Sequence, residues 1–313
     1  MPKTALVLSG GGAKGAFQFG ALKYIEEIVK PQRPDFDYSI IAGVSVGALN
    51  GGMVAMKKYE AMKILWNTIS DDKVYSGNST LAIIWRILTG HKSALNNAPL
   101  TKILAEHFHL ADVCPQYSYR LGIVSLLSGD YVSLTPSQFT SDKEFQKAVL
   151  ASTSIPVIWE PVSTLRLADG LEYRGNVDGG LRNVSPLGDV IDENPDLIVI
   201  INCSAPQLSY DMRAGDSLLK IAKRSLSDIT INQIFNEDVE QFLTVNDLVL
   251  QAKKQGAKLK KKDGTKYKHF QSIVIQPNKD MGDTLDFSQS TVQTRIIAGF
   301  NAAKDAFEKF GAI

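Results

Sequence analysis

The residue best placed to do chemistry is Ser45. It stands in Gly43-Val44-Ser45-Val46-Gly47, a G-x-S-x-G pattern inside the stretch Ile40 to Gly52, which reads as strand, tight turn and helix. A sharp strand-to-helix turn of this kind exposes the serine Oγ at its apex. The helix that follows points its unpaired N–H groups and partial positive charge toward that oxygen, which favours negative charge developing nearby. Gly43 and Gly47 fit because a Cβ at either place would collide with neighbouring backbone.

A second loop belongs with the first. Thr4 to Leu8 is a continuous apolar run, as expected of a strand buried on both faces, and Ser9-Gly10-Gly11-Gly12-Ala13-Lys14-Gly15 follows it. A glycine-rich loop between strand and helix cradles an anion with its amides. Gly10, Gly12 and Gly15 satisfy G-x-G-x-x-G, but the acidic residue a dinucleotide site wants at the end of the next strand is missing. Asp35 and Asp37 precede that strand, Tyr38 to Ala42, which ends instead in the serine turn. The amides are therefore expected to face an oxyanion held near Ser45. Both loops leave the carboxyl ends of consecutive apolar strands and should meet in one crevice of an open parallel sheet. A serine, a helix N-terminus and an amide cradle together are equipment for acyl transfer.

The elements that must carry these residues read as a mixed α/β sheet covered on both faces, a single α/β domain over 1–313. Helical pattern runs from Ala16 to about Val29 and from Met53 to Ser70. Thr80 to Leu88 reads as a buried helix, with a lid or lipid-touching segment as its functional alternative. Strands are expected at 119–127 and 131–134, a helix at 142–150, strands at 163–167, 172–176 and 196–201, and a final helix at 288–310. From Asp216 to about Lys254 a helix is predicted with Leu218, Leu219, Ala222, Leu226, Ile229 and Ile234 on its apolar side. Lys253 to Lys268 holds eight lysines and one aspartate. It reads as a solvated hairpin around Asp263-Gly264, or as a patch for an anionic membrane through Lys253, Lys254, Lys258, Lys260, Lys261 and Lys262.

Composition narrows the classes. With 44% apolar residues the 313-residue chain can bury a large core, and a net charge of +1 argues against nucleic acid as a partner. Cys114 and Cys203 give neither a disulfide framework nor a metal-ligand spacing and should act as small apolar residues; no metal or other cofactor is expected. With no signal-like N-terminus and no span of roughly 18 apolar residues, the expectation is a soluble, cytoplasmic protein. Peripheral membrane attachment and secretion without a cleaved signal stay compatible with it.

Four pieces, in this order, resemble the patatin-like phospholipases: GGGAKG at 10–15, GVSVG at 43–47, ASTSIPVIWEP at 151–161 and DGGLRNVSP at 178–186, with SALNNAPLTKIL at 93–104 as a weaker fifth. The likeness covers a core of about 4–204 and leaves a helical, lysine-rich extension, 205–313, without a counterpart. It implies a three-layer α/β/α sandwich with a mostly parallel central sheet. It also implies a Ser–Asp dyad with Ser45 as nucleophile and Asp178 as base, and an oxyanion hole from Gly10, Gly11, Gly12, Ala13, Lys14 and Gly15. Gly179 and Gly180 would allow a tight approach to the serine turn. The implied substrates are acyl esters of phospholipids, lysophospholipids or other lipids. Trp159 stands where the family pattern has a smaller aromatic and would reshape the acyl pocket. Among His91, His107, His109 and His269, only His269 follows Asp178, so a histidine triad would have to be Ser45–Asp178–His269. Asp169, at a hairpin tip, is the weaker alternative base. A non-catalytic lipid- or membrane-binding module and an acyltransferase are the competing functions.

Overall fold

The computed structural model describes residues 3–76, 93–217, 220–221 and 224–311. The apolar run Thr80–Leu88, His91, Leu218, Leu219 and Ala222 fall outside them. Eight strands form one sheet: β1 Thr4–Leu8, β2 Tyr38–Val44, β3 Ser118–Ser125, β4 Tyr131–Leu134, β5 Val162–Arg166, β6 Glu172–Asp178, β7 Leu197–Ile201 and β8 Gln271–Ile275. Their order is β5-β6-β3-β2-β1-β7-β8, with β4 also on β3. The run β3-β2-β1-β7-β8 is parallel, and β4, β5 and β6 pair antiparallel at one end.

The apolar strands alternate between two cores because successive side chains leave opposite faces. Leu6, Leu8, Ile41, Leu121, Val199 and Ile273 enter the larger core, whereas Ala5, Val7, Ile40, Ala42, Ile198 and Ile200 enter the smaller one. Helices α1 Gly15–Tyr24, α2 Val46–Ala55, α3 Tyr59–Thr68, α4 Ala98–His107, α5 Asp142–Ser152 and α7 Gln289–Phe310 contribute residues to the larger core. Helix α6 Ile231–Lys254 covers the other face through Val239 and Phe242. The result is the expected three-layer α/β/α sandwich.

Two departures have local causes. Met53 to Ser70 is two helices, because the chain breaks after α2 where Lys57 adopts φ 55°. Residues Arg224–Thr230 form a π-helix ahead of α6. Its wider turn shifts the phase of a 3.6-residue pattern. Ile229, assigned to the apolar side, is therefore 53% exposed, and the buried stripe is Asn232, Phe235, Val239, Phe242, Asn246 and Val249. No helix among the described residues is long and apolar enough to cross a membrane.

The parallel strands fix where everything else lies. Ser45 follows β2 and the glycine loop follows β1, so both stand at the carboxyl ends. Helix α6 begins there and runs 24 residues, about 36 Å, away from them. The lysine hairpin, with its turn at Asp263-Gly264 and all six candidate lysines exposed, comes after that run and before β8 begins. The lysines and His269 therefore sit toward the amino ends of the strands, opposite Ser45.

Candidate active site

Strand β3 brings the two key residues together. Gly122 pairs with Val44 and with Ser133, while Val124 pairs with Tyr131 and with Val177. Strand β4 occupies one edge of β3 at both positions, so β2 and β6 share the other edge and meet there end to end. The last β2 pair is Val44–Gly122, and the next residue of β3, Ile123, faces Asp178. The strand that delivers Ser45 and the strand that delivers Asp178 thus stop against each other along one template.

Ser45 sits at the turn with φ 58° and ψ −128°, a region that side-chain-bearing residues rarely occupy. The surroundings hold it there. A Cβ on Gly43 would strike the Gly47 backbone, and one on Gly47 would strike the end of β1, so the turn closes only with glycine at both places. The Ser45 N–H donates to Ser152 Oγ at 3.0 Å, and that hydroxyl donates to the Gly122 carbonyl at 2.7 Å. The Asp178 N–H donates to the Ser154 carbonyl at 3.0 Å. The end of α5 therefore ties down both partners. Ser152 and Ser154 lie inside ASTSIPVIWEP, but sequence gave them no role; their types carry no signal until the strand ends they bridge are known.

The Ser45 hydroxyl and the Asp178 carboxyl face one cleft, close enough for the hydroxyl to favour the ionised carboxyl. Asp178 Oδ1 accepts from the Gly180 N–H at 2.8 Å. Both residues are only 5% exposed. Burial pushes the Asp178 carboxyl up to about 7, against the opposing pull of the Ser45 hydroxyl and the Gly180 amide. Gly179 lies against the Gly122 backbone, and Gly180 beside Asp178 Oδ1. Asp169 sits in the exposed turn between β5 and β6, where it accepts from the Leu171 N–H.

Among the described residues no histidine lines the clefts around Ser45. His107 ends α4, and His109 pairs with Asp142 at 2.9 Å. His269, at the far end of the sheet, cannot complete a triad.

The glycine loop is more selective than its sequence suggests. Gly10 lies against Ser45 Cβ, but its N–H donates to the Val184 carbonyl at 3.1 Å. The Ala13 N–H donates to Thr284 O at 2.8 Å, the Lys14 N–H to Gly11 O at 3.0 Å, and the Gly15 N–H to Gly12 and Ala13 carbonyls. That leaves Gly11 and Gly12 as the loop amides without an acceptor among the described residues, and both line the cleft shared by Ser45 and Asp178. Of the six residues expected at an oxyanion hole, Gly10, Ala13, Lys14 and Gly15 have their amides taken up in holding the loop in place. The Lys14 side chain is buried and pairs with Asp280 at 3.4 Å.

Beside Ser45 opens an almost wholly apolar cleft of about 90 Å³. Leu49 and Met53 from α2, Met62, Leu65 and Trp66 from α3, Leu100 and Ile103 from α4, Phe108, Trp159 and Phe287 line it. Ser45, Leu49 and Met53 recur every four residues, so they form one face of α2 leading away from the hydroxyl. Cys203 is buried in the larger core, Cys114 packs against it in part, and both are free. No group of three or more His, Cys, Asp or Glu among the described residues could hold a metal ion.

Comparison with known proteins adds the following. No curated protein matches the chain. Among solved structures, the crystal structure of VipD from Legionella pneumophila is similar at 14% identity and a TM-score of 0.45, covering 98% of this chain and 67% of that one. So distant a likeness carries no weight for the site. The family model described as patatin-like phospholipase matches residues 6–191, from β1 through the serine turn and Asp178 to the helical turn at Gly188–Ile191. That span takes in more than half of the sequence and every element that positions Ser45 against Asp178, and the chain belongs to the patatin-like phospholipase family.

Proposed function

We propose that the chain is a serine carboxylic-ester hydrolase acting on lipids, with Ser45 as nucleophile and Asp178 as its base. The family it belongs to hydrolyses lipid acyl esters in general. One observation carries the finer reading: a buried carboxyl raised to about 7 shares a cleft with a serine hydroxyl at a strained turn, beside an apolar cleft. A base is most effective when its affinity for protons matches the working pH, and this one is tuned toward neutrality. Asp178 takes the hydroxyl proton as Ser45 Oγ attacks the ester carbonyl. The Gly11 and Gly12 amides face the oxyanion of the tetrahedral intermediate. Collapse expels the alcohol, which receives the proton from Asp178, and leaves an acyl group on Ser45. Water then attacks the acyl-enzyme, giving its proton to Asp178, and the fatty acid leaves as Asp178 returns that proton to Ser45 Oγ.

The cleft supports a hydrocarbon acyl chain as the recognised part of the substrate, since its walls offer Leu, Met, Ile, Phe and Trp side chains. The lysine hairpin lies toward the other end of the sheet from this cleft. The test is fluorophosphonate labelling with peptide mapping, together with fatty-acid release from phospholipid and p-nitrophenyl esters. Wild type should label at Ser45, and Ser45→Ala and Asp178→Asn should release no fatty acid above background. Full activity in either variant removes the assignment.

A further inference from the structure

The oxyanion loop is held from outside the family-matched span. Residues 280–287 cross over it just before α7. Thr284 O accepts the Ala13 N–H, and the Thr284 side chain packs so closely that a Cβ on Gly12, at φ 54°, would overlap both. Asp280 Oδ1 takes Lys14 Nζ at 3.4 Å. Thr284 lines the cleft of Ser45 and Asp178, and Phe287 lines the acyl cleft.

Asp228 takes the Thr284 hydroxyl at 3.2 Å and Tyr75 donates to Leu285 O at 3.1 Å, but the side chain that makes most bonds to residues 280–287 is Arg295, nearly two turns into α7 and fully buried. Its Nε and Nη2 donate to Met281 O at 3.0 and 2.8 Å, Nη2 to Asp283 O at 2.7 Å, and Nη1 to Asp286 O at 2.9 Å. All four bonds go to main-chain carbonyls. A buried guanidinium is costly, and an apolar side chain would fill the space more cheaply. The planar fork of donors does what no apolar residue can: it gathers three carbonyls of one loop into a fixed arrangement.

We infer that Arg295 is a positioning residue for the oxyanion hole: through residues 281–286 it sets Thr284 against Gly12 and Ala13 and so aims the Gly11 and Gly12 amides. This rests on the proposed Ser45 chemistry for its catalytic consequence, but not for its geometry. It assigns the segment beyond the matched residues 6–191 a part in the active site.

The test uses the full chain as wild type, Arg295→Lys and Thr284→Ala. Lysine keeps the charge but not the fork, and alanine removes the side chain that rests on Gly12. Hydrogen–deuterium exchange should rise in peptides covering 9–15 and 280–287 in both variants and stay unchanged in β1, β2 and β7. The rate of fluorophosphonate labelling at Ser45, measured per chain labelled at the end point, should fall at least about tenfold in Arg295→Lys, since a misaimed donor forfeits part of the roughly 100- to 1000-fold that one oxyanion donor supplies. A purely structural role would lower the labelled end point and leave the rate per labelled chain alone. Exchange in 9–15 unchanged, with that rate within about twofold of wild type, overturns the proposal. If Arg295→Lys does not fold, Thr284→Ala decides by the same two readouts. A wild type that never labels at Ser45 sinks the serine assignment instead, and the exchange comparison still decides the positioning role.

Discussion

Replacing Asp178 by Asn should make the protein relatively more stable as pH rises, by an amount the structure sets. The carboxyl ordinarily titrates at 3.8 and is raised by burial to about 7. A carboxyl raised on folding binds its proton more tightly in the native state, so its contribution is most favourable below the unfolded value and is lost as pH climbs through the folded one. The gap is roughly three decades of proton affinity; at about 1.4 kcal/mol per decade the native state gives up on the order of 4 kcal/mol between pH 4 and pH 8. Asn keeps the shape and can still accept from the Gly180 N–H, but never carries the charge. The difference in melting temperature, variant minus wild type, should therefore grow by about 6 °C from pH 4.5 to pH 8. Other titrating groups cancel in that difference. A difference that stays flat across this range would mean that Asp178 is not held as a buried, high-affinity base, and the mechanistic role built on it would fall.

The same tuning predicts that kcat/KM on a soluble ester rises with one proton's dependence as pH increases through about 7, the form in which Asp178 can accept a proton; a midpoint near 4 would contradict it. Ser152→Ala removes the acceptor of the Ser45 N–H and the donor to Gly122 O, and should cost about 1–3 kcal/mol of stability and slow turnover without raising KM, read by thermal melting and steady-state kinetics. Leu49→Trp narrows the acyl cleft one helical turn from Ser45. It should spare acetyl esters while depressing hydrolysis of long-chain esters at least about tenfold, as a chain-length series would show.

What was legible in the sequence was what is local. The turn around Ser45 needs only five residues and the helix behind them, and the loop after β1 only its glycines, so both could be read directly. Asp178 was reachable only through the family pattern, because its place beside Ser45 is set by pairing to β3, 53 to 60 residues back along the chain. The choice of amides was illegible for the same reason: Gly10 and Ala13 are occupied by Val184 and Thr284, which no local rule connects to them. The stripe that included Ile229 failed because a π-turn altered the period within the segment over which it was extrapolated. The lysine cluster was recognisable by composition, but only the length of α6 reveals how far it stands from the serine.

The shared edge of β3 acts as a ruler with discrete marks. Residues along a strand advance by about 3.3 Å and alternate sides, so β2 and β6 can change their relative position only in whole steps, each of which turns the delivered side chain over. A single-residue insertion or deletion within Leu121–Val124 would therefore not loosen the contact between hydroxyl and carboxyl by degrees; it would abolish it. Substitutions elsewhere in the layers can soften the protein considerably and leave that spacing untouched.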